Sequence, residues 1–346
     1  MKIILPGQTI GIIGGGQLGR MLAMSAKEMG YKIAILDPSK DACARHFADT
    51  FIHADFDNRK GLERLCQISD VVTFEFENID SDLLAELEKD YHIVQSASLL
   101  KTAQHRLLEK EFARSLGIET VDYQYVDEDT TGVQVDGTYL MKTVRFGYDG
   151  KGQSQITEAS QVQPYTLLER LVPLDKEISV VAYKDRIGIV AVVENEHRNN
   201  ILYRSIVPTT ASPEQEAQAI DYTRRILEAA DYYGVLTVEF FISQGRVIFN
   251  EMAPRVHNSG HITMQSANKS QFRAHIEAIC GLEVGPIHNQ ATTLYNILGQ
   301  DLDYFLKLIQ EGPAHLHLYE KEPRQDRKIG HINFPGHIRL EEPFIG

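Results

Sequence analysis

Short apolar runs alternate with amphipathic segments over the first 98 residues. This alternation is typical of a parallel α/β unit, in which each strand is followed by a helix. The predicted strands are residues 10–13, 33–36, 71–74 and 92–94, and the predicted helices are residues 20–29, 60–67 and 81–89. The pattern therefore predicts an N-terminal α/β domain of residues 1–98.

The rest of the chain predicts an α+β region, residues 99–282, and a small C-terminal domain, residues 283–346. Proline and glycine residues mark the predicted ends of the helices. The predicted helices are residues 99–116, 213–233, 270–279 and 304–309, and the predicted C-terminal strands are residues 292–298 and 314–319. Acidic residues follow Pro213, where the helix dipole favours them.

A hairpin that carries acidic side chains is the strongest local signal. Two β-branched runs meet at Gln244-Gly245, a dipeptide typical of a two-residue hairpin turn. This register sets Glu239 opposite Asn250, with Glu251 one position further along. Charged groups in an apolar hairpin are costly unless paired or metal-bound, and oxygen ligands of this kind suit Mg²⁺ with nucleotide phosphates. The alternative is that both glutamates lie at strand ends and face water. A change of one residue in the register would turn Glu239 and Glu251 to opposite faces of the hairpin.

A glycine-rich loop follows a strand that ends at Lys142. Residues 145–154 read Arg-Phe-Gly-Tyr-Asp-Gly-Lys-Gly-Gln-Ser. Such glycines let backbone N–H groups close over phosphates, with Lys142 and Lys151 supplying positive charge. The spacing does not match a Walker A loop, and the alternative is a mobile hairpin tip. Two strand patterns follow, residues 167–172 and 176–182, which suit an adenine clamp with Glu177 at the ribose.

The N-terminal glycines imitate a dinucleotide-binding motif. Gly14, Gly16 and Gly19 follow a buried strand in the Rossmann spacing, and Asp37 ends the next strand. Taken alone, this segment favours NAD. The rest of the chain shows no further nicotinamide-site motif, whereas the paired glutamates and the second glycine loop favour a nucleoside triphosphate.

Composition limits the possible classes of protein. The chain has 346 residues, of which 43% are hydrophobic, which is enough for more than one domain core. The net charge of −13 argues against a general nucleic-acid or membrane-surface binder. The cysteines Cys43, Cys66 and Cys280 form no Cys-x-x-Cys motif, so a reduced cytoplasm is the expected location. No signal peptide or membrane-length apolar run is present.

Histidine pairs offer a competing metal hypothesis. His257 and His261 have the i, i+4 spacing of a zinc-binding helix, but Pro254 precedes them and Asn-Ser-Gly lies between them. These residues argue against a helix that holds zinc. His315 and His317 share one face of a predicted strand, where a packing or surface role is expected.

The ordered set of motifs resembles the ATP-grasp superfamily and, within it, the family of N5-carboxyaminoimidazole ribonucleotide synthetases of purine biosynthesis. The matching segments are residues 14–21, 74–78, 106–110, 147–153, 194–197, 250–261 and 324–331, and they span nearly the whole chain. The resemblance implies an ATP-grasp fold of α/β and α+β type, with an N-terminal Rossmann-like parallel-sheet domain and a flexible lid at about residues 120–180. It also implies a C-terminal domain that is shorter than usual in the family.

The resemblance implies a reaction as well. A cytoplasmic, homodimeric ligase would use ATP and Mg²⁺ to carboxylate aminoimidazole ribonucleotide with bicarbonate through carboxyphosphate, without nucleic-acid or membrane partners. Arg255, His257 and Asn258 would handle bicarbonate and carboxyphosphate, and Glu239 and Glu251 would hold the metal.

Two further sets of residues receive roles from the resemblance. The implied ATP-binding residues are Arg106, Lys142, Gly147, Tyr148, Asp149, Gly150, Lys151, Gly152, Gln153, Glu169, Arg170, Leu171, Val172, Glu177, His197, Asn250 and Glu251. The implied substrate-binding residues are Gly16, Gln17, Leu18, Glu75, Tyr148, Asp149, Arg327 and Lys328, with the last two at the 5′-phosphate.

Three alternatives remain at this point. A biotin-carboxylase-like enzyme also makes carboxyphosphate, but its Glu-x-Asn-x-Arg pattern would require asparagine where this chain has Ala253. Another ATP-grasp ligase would share the ATP site and differ in its substrate pocket. A non-catalytic NAD-binding protein would leave Glu239 and Glu251 without a role. Phe146 and His105 depart from the family pattern without removing a charge assigned to the chemistry.

Overall fold

Residues 2–145, 147, 152–184 and 187–340 are described by the computed structural model, and they form three β-sheets. The first sheet is parallel, with four strands in the order β3-β2-β1-β4. Its strands and helices are β1 (Thr9–Ile13), α1 (Gln17–Glu28), β2 (Lys32–Asp37), β3 (Thr50–His53), α2 (Arg59–Gln67), β4 (Val71–Phe74) and α3 (Ser81–Leu87). The predicted N-terminal α/β unit is confirmed.

Two details of this unit differ from the prediction. Strand β3 was not predicted, because its four residues carry only a short apolar pattern at the edge of the sheet. Residues 92–94 do not form the predicted strand; Ile93 makes one isolated bridge to Val72. The central strand β1 is buried on both faces after Thr9, which is why it reads as an unbroken apolar run.

The predicted helix of residues 99–116 is wrong, because the chain forms two helices here, α4 (Ala97–Ala103) and α5 (Arg106–Ser115). His105 adopts an extended conformation between them, with φ −133° and ψ 104°. The backbone N–H of Arg106 donates to Val144 O at 3.0 Å instead of continuing the first helix. The break places Arg106 at the beginning of α5, while Gly117 follows its end with φ +70° as expected.

The second sheet lies within the segment predicted to be a lid. It is antiparallel, in the order β5-β8-β6-β7. Its strands are β5 (Tyr123–Val126), β6 (Tyr139–Thr143), β7 (Gln153–Ile156) and β8 (Thr166–Arg170). Buried apolar residues of this sheet, such as Met141 and Leu168, form a small apolar cluster of their own. The flexibility of the segment stays a prediction.

The third sheet has eight strands in the order β13-β12-β9-β10-β11-β14-β16-β15. Its strands and the accompanying helices are β9 (Lys176–Lys184), β10 (Gly188–Arg198), β11 (Ile201–Val207), α6 (Pro213–Ala229), β12 (Gly234–Ser243), β13 (Arg246–Ala253), α7 (Thr263–Ser266), α8 (Gln271–Ile279), β14 (Thr292–Leu298), α9 (Leu302–Leu308), β15 (His315–Leu318) and β16 (Lys328–Pro335). Because β14 pairs with β11, the C-terminal strands extend this third sheet, which is called the central sheet below.

Helix α6 ends at Ala229 and not near residue 233 as predicted. Ala230 is extended, with ψ 137°, and Lys184 Nζ donates to Leu227 O at 2.8 Å and also to Ala230 O. A cation at the helix C-terminus satisfies carbonyls that the helix leaves unpaired. No helix in the described part of the chain is long and apolar enough to cross a membrane.

One apolar core joins the N-terminal unit to the central sheet. Residues of β1 and α1, such as Ile12 and Leu22, belong to the same buried cluster as Phe272 and Ile276 of α8 and Val181 of β9. This packing brings the residues that follow β1 and β4 towards the segment that follows β13. The functional site lies where these segments meet.

Candidate functional site

Two acidic residues face each other across the hairpin of β12 and β13. The predicted turn is confirmed, with Gln244 and Gly245 at φ +51° and +80°. A β-bulge after Glu239 then changes the register, so that Glu239 pairs with Glu251. The prediction that Glu239 lies opposite Asn250 is therefore wrong, because Asn250 is the extra residue of the bulge. The bulge places both carboxylates on one face.

The two carboxylates have different electrostatic surroundings. Arg106 Nη1 lies 3.0 Å from Glu251 Oε2, and this contact, with Lys142 nearby, holds the pKa of Glu251 below its usual value although burial opposes it. Burial and the neighbouring charge of Glu251 raise the pKa of Glu239. His257 Nε2 lies 3.6 Å from Glu239 Oε1. Two like charges that face each other in this way are stabilised by a cation between them.

The described residues contain no group of three or more His, Cys, Asp or Glu side chains that could hold a metal by themselves. Glu239 and Glu251 fit Mg²⁺ in another way. This ion is usually bound by one or two carboxylates together with water and substrate phosphates. The facing pair thus suits a metal that arrives with a nucleotide.

A buried charge cluster positions Lys142. Glu169 lies between two lysines, with Oε2 2.6 Å from Lys142 Nζ and Oε1 3.2 Å from Lys110 Nζ. Burial would raise the pKa of Glu169, but the two lysines lower it to about 2. Lys110 Nζ also donates to Asn250 O at 2.8 Å. The carboxylate of Glu169 therefore faces the lysines, and a role in binding adenosine stays a prediction.

A cavity of about 400 Å³ lies between the second and third sheets. The predicted ATP-binding residues that line it are Arg106, Lys142, Gln153, Glu169, Arg170, Leu171, Val172, Glu177, His197, Asn250 and Glu251. Its apolar lining also includes Val121, Leu140, Leu174 and Phe241, which sequence reasoning missed because scattered apolar residues carry no motif. Glu177 Oε2 is 2.5 Å from His197 Nδ1. The volume and the mixed lining suit a nucleotide.

The glycine-rich loop is only partly described. Tyr148, Asp149, Gly150 and Lys151, all predicted to bind ligands, lie outside the described residues. Gly147 lines a larger cavity next to the first one. Gly152, at φ +74°, accepts the N–H of Thr143 through its carbonyl at 2.8 Å as β7 begins.

The larger cavity, of about 900 Å³, is lined by all three parts of the chain. The predicted substrate-binding residues that line it are Gly16, Gln17, Leu18, Glu75, Arg327 and Lys328. Glu77, Lys321 and Arg324 also line it, although the sequence motifs gave them no role. Lys321 Nζ donates to Gln17 Oε1 at 2.7 Å, and Gln17 Nε2 donates to Asn258 Oδ1 at 2.8 Å. These contacts join the three parts at one wall.

The N-terminal glycine turn is filled by the protein's own carboxylates. The two oxygens of Glu75 accept the N–H groups of Gly16 and Gly19. Asp37 Oδ2 accepts the N–H of Gly15 at 2.7 Å. A Cβ added at Gly16 would lie 2.6 Å from Glu75 Oε1, so this glycine makes room for the carboxylate. The N–H groups that would face a pyrophosphate are occupied, which argues against NAD.

Arg255 and His257 follow β13 at the edge of the larger cavity. Arg255 Nη2 lies 2.7 and 2.8 Å from the two carboxylate oxygens of Glu77. Burial and the charge of Arg255 hold the pKa of His257 well below its usual range. His257 Nδ1 is 2.9 Å from Ser259 Oγ. The site therefore holds a fixed cation beside a neutral imidazole.

The two cavities meet at one group of residues. The shared lining residues are Arg106, Glu239, Glu251, His257 and Asn258. The facing carboxylates Glu239 and Glu251 therefore line both cavities. The site can thus bring a nucleotide phosphate next to a second ligand, which is the arrangement that group transfer needs.

Sequence comparisons divide the chain in the same order. Residues 7–104 match the ribonucleotide synthetase preATP-grasp domain, residues 111–272 the ATP-grasp domain, and residues 292–340 the phosphoribosylaminoimidazole carboxylase C-terminal domain. The N5-carboxyaminoimidazole ribonucleotide synthase of Bacillus subtilis is 39% identical over 96% of this chain and 93% of its own length. The chain belongs to this family. The N5-carboxyaminoimidazole ribonucleotide synthase family has the ATP-grasp fold, and its members are ATP-dependent ligases, as predicted.

Solved structures of N5-carboxyaminoimidazole ribonucleotide synthases agree with this fold. The Staphylococcus aureus enzyme in complex with ADP superposes with a TM-score of 0.92 at 36% identity, covering 98% of this chain and 95% of that one. The Aspergillus clavatus enzyme in complex with ADP and 5-aminoimidazole ribonucleotide has a TM-score of 0.89 at 26% identity, covering 96% and 95% of the two chains.

Proposed function

We propose that this protein uses ATP to join bicarbonate to the exocyclic amine of 5-aminoimidazole ribonucleotide, forming N5-carboxyaminoimidazole ribonucleotide. The observation that carries the proposal is the meeting of the two cavities at Glu239, Glu251 and His257. Relatives of the same family bind ADP and 5-aminoimidazole ribonucleotide. The smaller cavity is assigned to ATP and the larger to the ribonucleotide and bicarbonate.

Bicarbonate is a poor electrophile and must first be activated. An oxygen of bicarbonate attacks the γ-phosphorus of ATP, and the bond to the β-phosphate oxygen breaks to give carboxyphosphate and ADP. Lys142, held by Glu169, and Arg106 place positive charge on the side of the nucleotide cavity. Such preorganised charge stabilises the phosphoryl-transfer transition state.

Glu239 and Glu251 are the residues that would hold Mg²⁺. When bound, the ion supplies charge neutralisation for the phosphate oxygens.

Arg255 and His257 would hold the activated carboxyl group. A guanidinium can contact two oxygens of a planar anion at once. The N–H of Ser259 points to His257 Nδ1 at 3.4 Å, so the proton of the neutral ring is placed on Nε2, which can donate to a carboxyphosphate oxygen.

The ribonucleotide would lie against the basic wall of the larger cavity. Arg327, Lys328 and Arg324 line this wall and suit a 5′-phosphate. The amine nitrogen then attacks the carboxyl carbon, the bond to the phosphate oxygen breaks, and the amine proton leaves with inorganic phosphate. Positioning and water exclusion supply most of the catalysis, because carboxyphosphate hydrolyses readily.

The proposal includes a cytoplasmic location, a homodimeric state and three domains with boundaries at residues 1–98, 99–282 and 283–346. Burial of the only three cysteines, Cys43, Cys66 and Cys280, as free thiols supports a reducing location. Sedimentation of the full chain would test the dimer, and a monomer at all concentrations would contradict it.

The deciding experiment is the release of ADP from ATP, Mg²⁺ and bicarbonate, with and without 5-aminoimidazole ribonucleotide. We expect release that depends on bicarbonate and rises with the ribonucleotide. Arg255→Lys should be severely impaired while ATP affinity changes little, because an ammonium cannot make the paired planar contact. Lys328→Ala should instead raise KM for the ribonucleotide. Release without dependence on either substrate would refute the function.

A further inference from the structure

Arg255 is held from the N-terminal part of the chain. Glu77 accepts from Arg255 Nη2 through both oxygens, at 2.7 and 2.8 Å. Arg255 Nη1 donates to Val256 O at 2.8 Å. Both side chains are mostly buried, with 15% and 25% exposed, so solvent screens the pair less than a surface ion pair. Arg255 Nε is buried without a partner among the described residues.

The backbone beside Arg255 is fixed by a second contact from the same part of the chain. Gln95 Nε2 donates to Pro254 O at 2.8 Å, and its Oε1 accepts the N–H of Phe74 at 2.8 Å. Thr73 Oγ1 donates to the same Oε1 and lies 2.8 Å from His275 Nε2. This buried chain of hydrogen bonds gives Pro254 one position relative to β4.

Glu77 is itself anchored. It follows β4 at the carboxyl edge of the parallel sheet, two residues after Glu75, and its carbonyl accepts from Gln104 Nε2 at 2.5 Å. The side chain of Glu75 accepts from the glycine turn, whereas the side chain of Glu77 contacts the guanidinium of Arg255. The two acids of this segment therefore have separate partners.

We propose that Glu77 is a positioning residue that orients the guanidinium of Arg255 for bicarbonate, a role that rests on the function proposed above. With Glu77 on Nη2 and Val256 O on Nη1, the guanidinium cannot rotate freely and is held where it lines the larger cavity, which is assigned to bicarbonate. The N-terminal part of the chain thus takes part in bicarbonate activation without contacting bicarbonate.

Glu77→Gln tests this role, because the amide keeps the size of the side chain and loses the charge that holds Arg255. We expect at least a tenfold fall in kcat/KM for bicarbonate, with KM for the ribonucleotide and the melting-temperature shift caused by ADP unchanged within about twofold. Glu77→Asp should recover part of the loss. The matched control is Glu86→Gln, which removes an exposed partner of Arg59 on the same part of the chain and should leave all kinetic constants unchanged.

A double-mutant cycle with Arg255→Lys separates positioning from direct contact. If Glu77 acts only through Arg255, the double variant should be no slower than Arg255→Lys alone within about twofold. Multiplied losses, an unchanged kcat/KM for bicarbonate in Glu77→Gln, or a defect confined to the ribonucleotide would each overturn the inference. Bicarbonate-dependent ADP release by the unchanged protein is measured in parallel, and its absence would refute the proposed function instead.

Discussion

Two groups of carboxylates in this molecule are satisfied in opposite ways. In the N-terminal glycine turn, Glu75 and Asp37 accept backbone N–H groups from Gly15, Gly16 and Gly19. In the central hairpin, Glu239 and Glu251 face each other, and the cations nearby lie on one side of the pair. The carboxylates of the first group have their hydrogen-bond partners within the protein, whereas those of the second group are stabilised further by a cation from outside.

This difference separates a structural motif from a binding site. Buried charges that have all their partners within the fold stabilise one conformation, whereas like charges that face each other at a cavity indicate a ligand. The glycine spacing alone favours NAD, but the partners of the N–H groups argue for structure. Three substitutions and one ligand-binding experiment test the comparison.

The largest effect is expected from Glu251→Gln. The amide keeps the volume and loses the charge, so ADP release should fall at least about 100-fold, which corresponds to about 2.7 kcal/mol of barrier. The free energy of unfolding should change little, because the lost contact with Arg106 is offset by the lost repulsion from Glu239. Steady-state kinetics and urea unfolding measure the two quantities. More than about a tenth of the original activity would exclude the metal role.

The next largest effect is expected from nucleotide binding, which should distinguish the hairpin region from the glycine turn. ADP with Mg²⁺ at about 100 times its Kd should stabilise the protein by about 2.7 kcal/mol, because it binds only the native state. NAD and NADP should give no shift, since the glycine turn is already filled. Thermal unfolding with each nucleotide measures this. A shift with NAD and none with ADP would reverse the assignment of the two regions.

Glu75→Gln should lower the free energy of unfolding. One of the two N–H groups would then face an amide NH₂ group, and an unsatisfied buried donor costs about 1–3 kcal/mol. Urea unfolding should show the loss even without ligands. An unchanged midpoint would mean that the turn does not depend on this carboxylate.

The smallest effect is expected at an exposed carboxylate. Glu119 pairs with Arg246 at 2.8 Å, with 35% and 54% of the side chains exposed. Glu119→Gln should change the free energy of unfolding by less than about 0.5 kcal/mol, because exposed ion pairs contribute little. It serves as the control for Glu75→Gln, and an equal loss in both variants would show that burial does not decide the outcome.

Sequence patterns predicted the elements better than their register. The alternating runs predicted the N-terminal unit and the hairpin turn, because periodicity and turn dipeptides are local signals. The bulge at Asn250 could not be read from the sequence, since the extra residue looks like any other in the strand. The break before α5 likewise depends on a backbone hydrogen bond from the N–H of Arg106 to Val144 O, which is distant along the chain.

The sequence predicted those parts of the candidate site that lie in recognisable motifs. Most of the implied nucleotide and substrate residues line the two cavities. The partners of Arg255 and Lys142 were not predicted, because Glu77 reaches Arg255 from the segment after β4 and Glu169 reaches Lys142 from β8. Such contacts depend on the packing of the N-terminal unit and the second sheet against the third sheet, which no single segment encodes.

The order of the strands has a consequence during protein synthesis. Among the described residues, none beyond Asn258 lines the smaller cavity, whereas the larger cavity is also lined by Lys321 and residues 324–328, directly before and at the start of β16. Domains form from the N-terminus as the ribosome extends the chain. A nascent polypeptide would therefore complete the cavity assigned to ATP before the basic wall of the larger cavity. An enzyme assembled in this order would acquire the ability to hold ATP before it could accept the amine that consumes the activated carboxyl group.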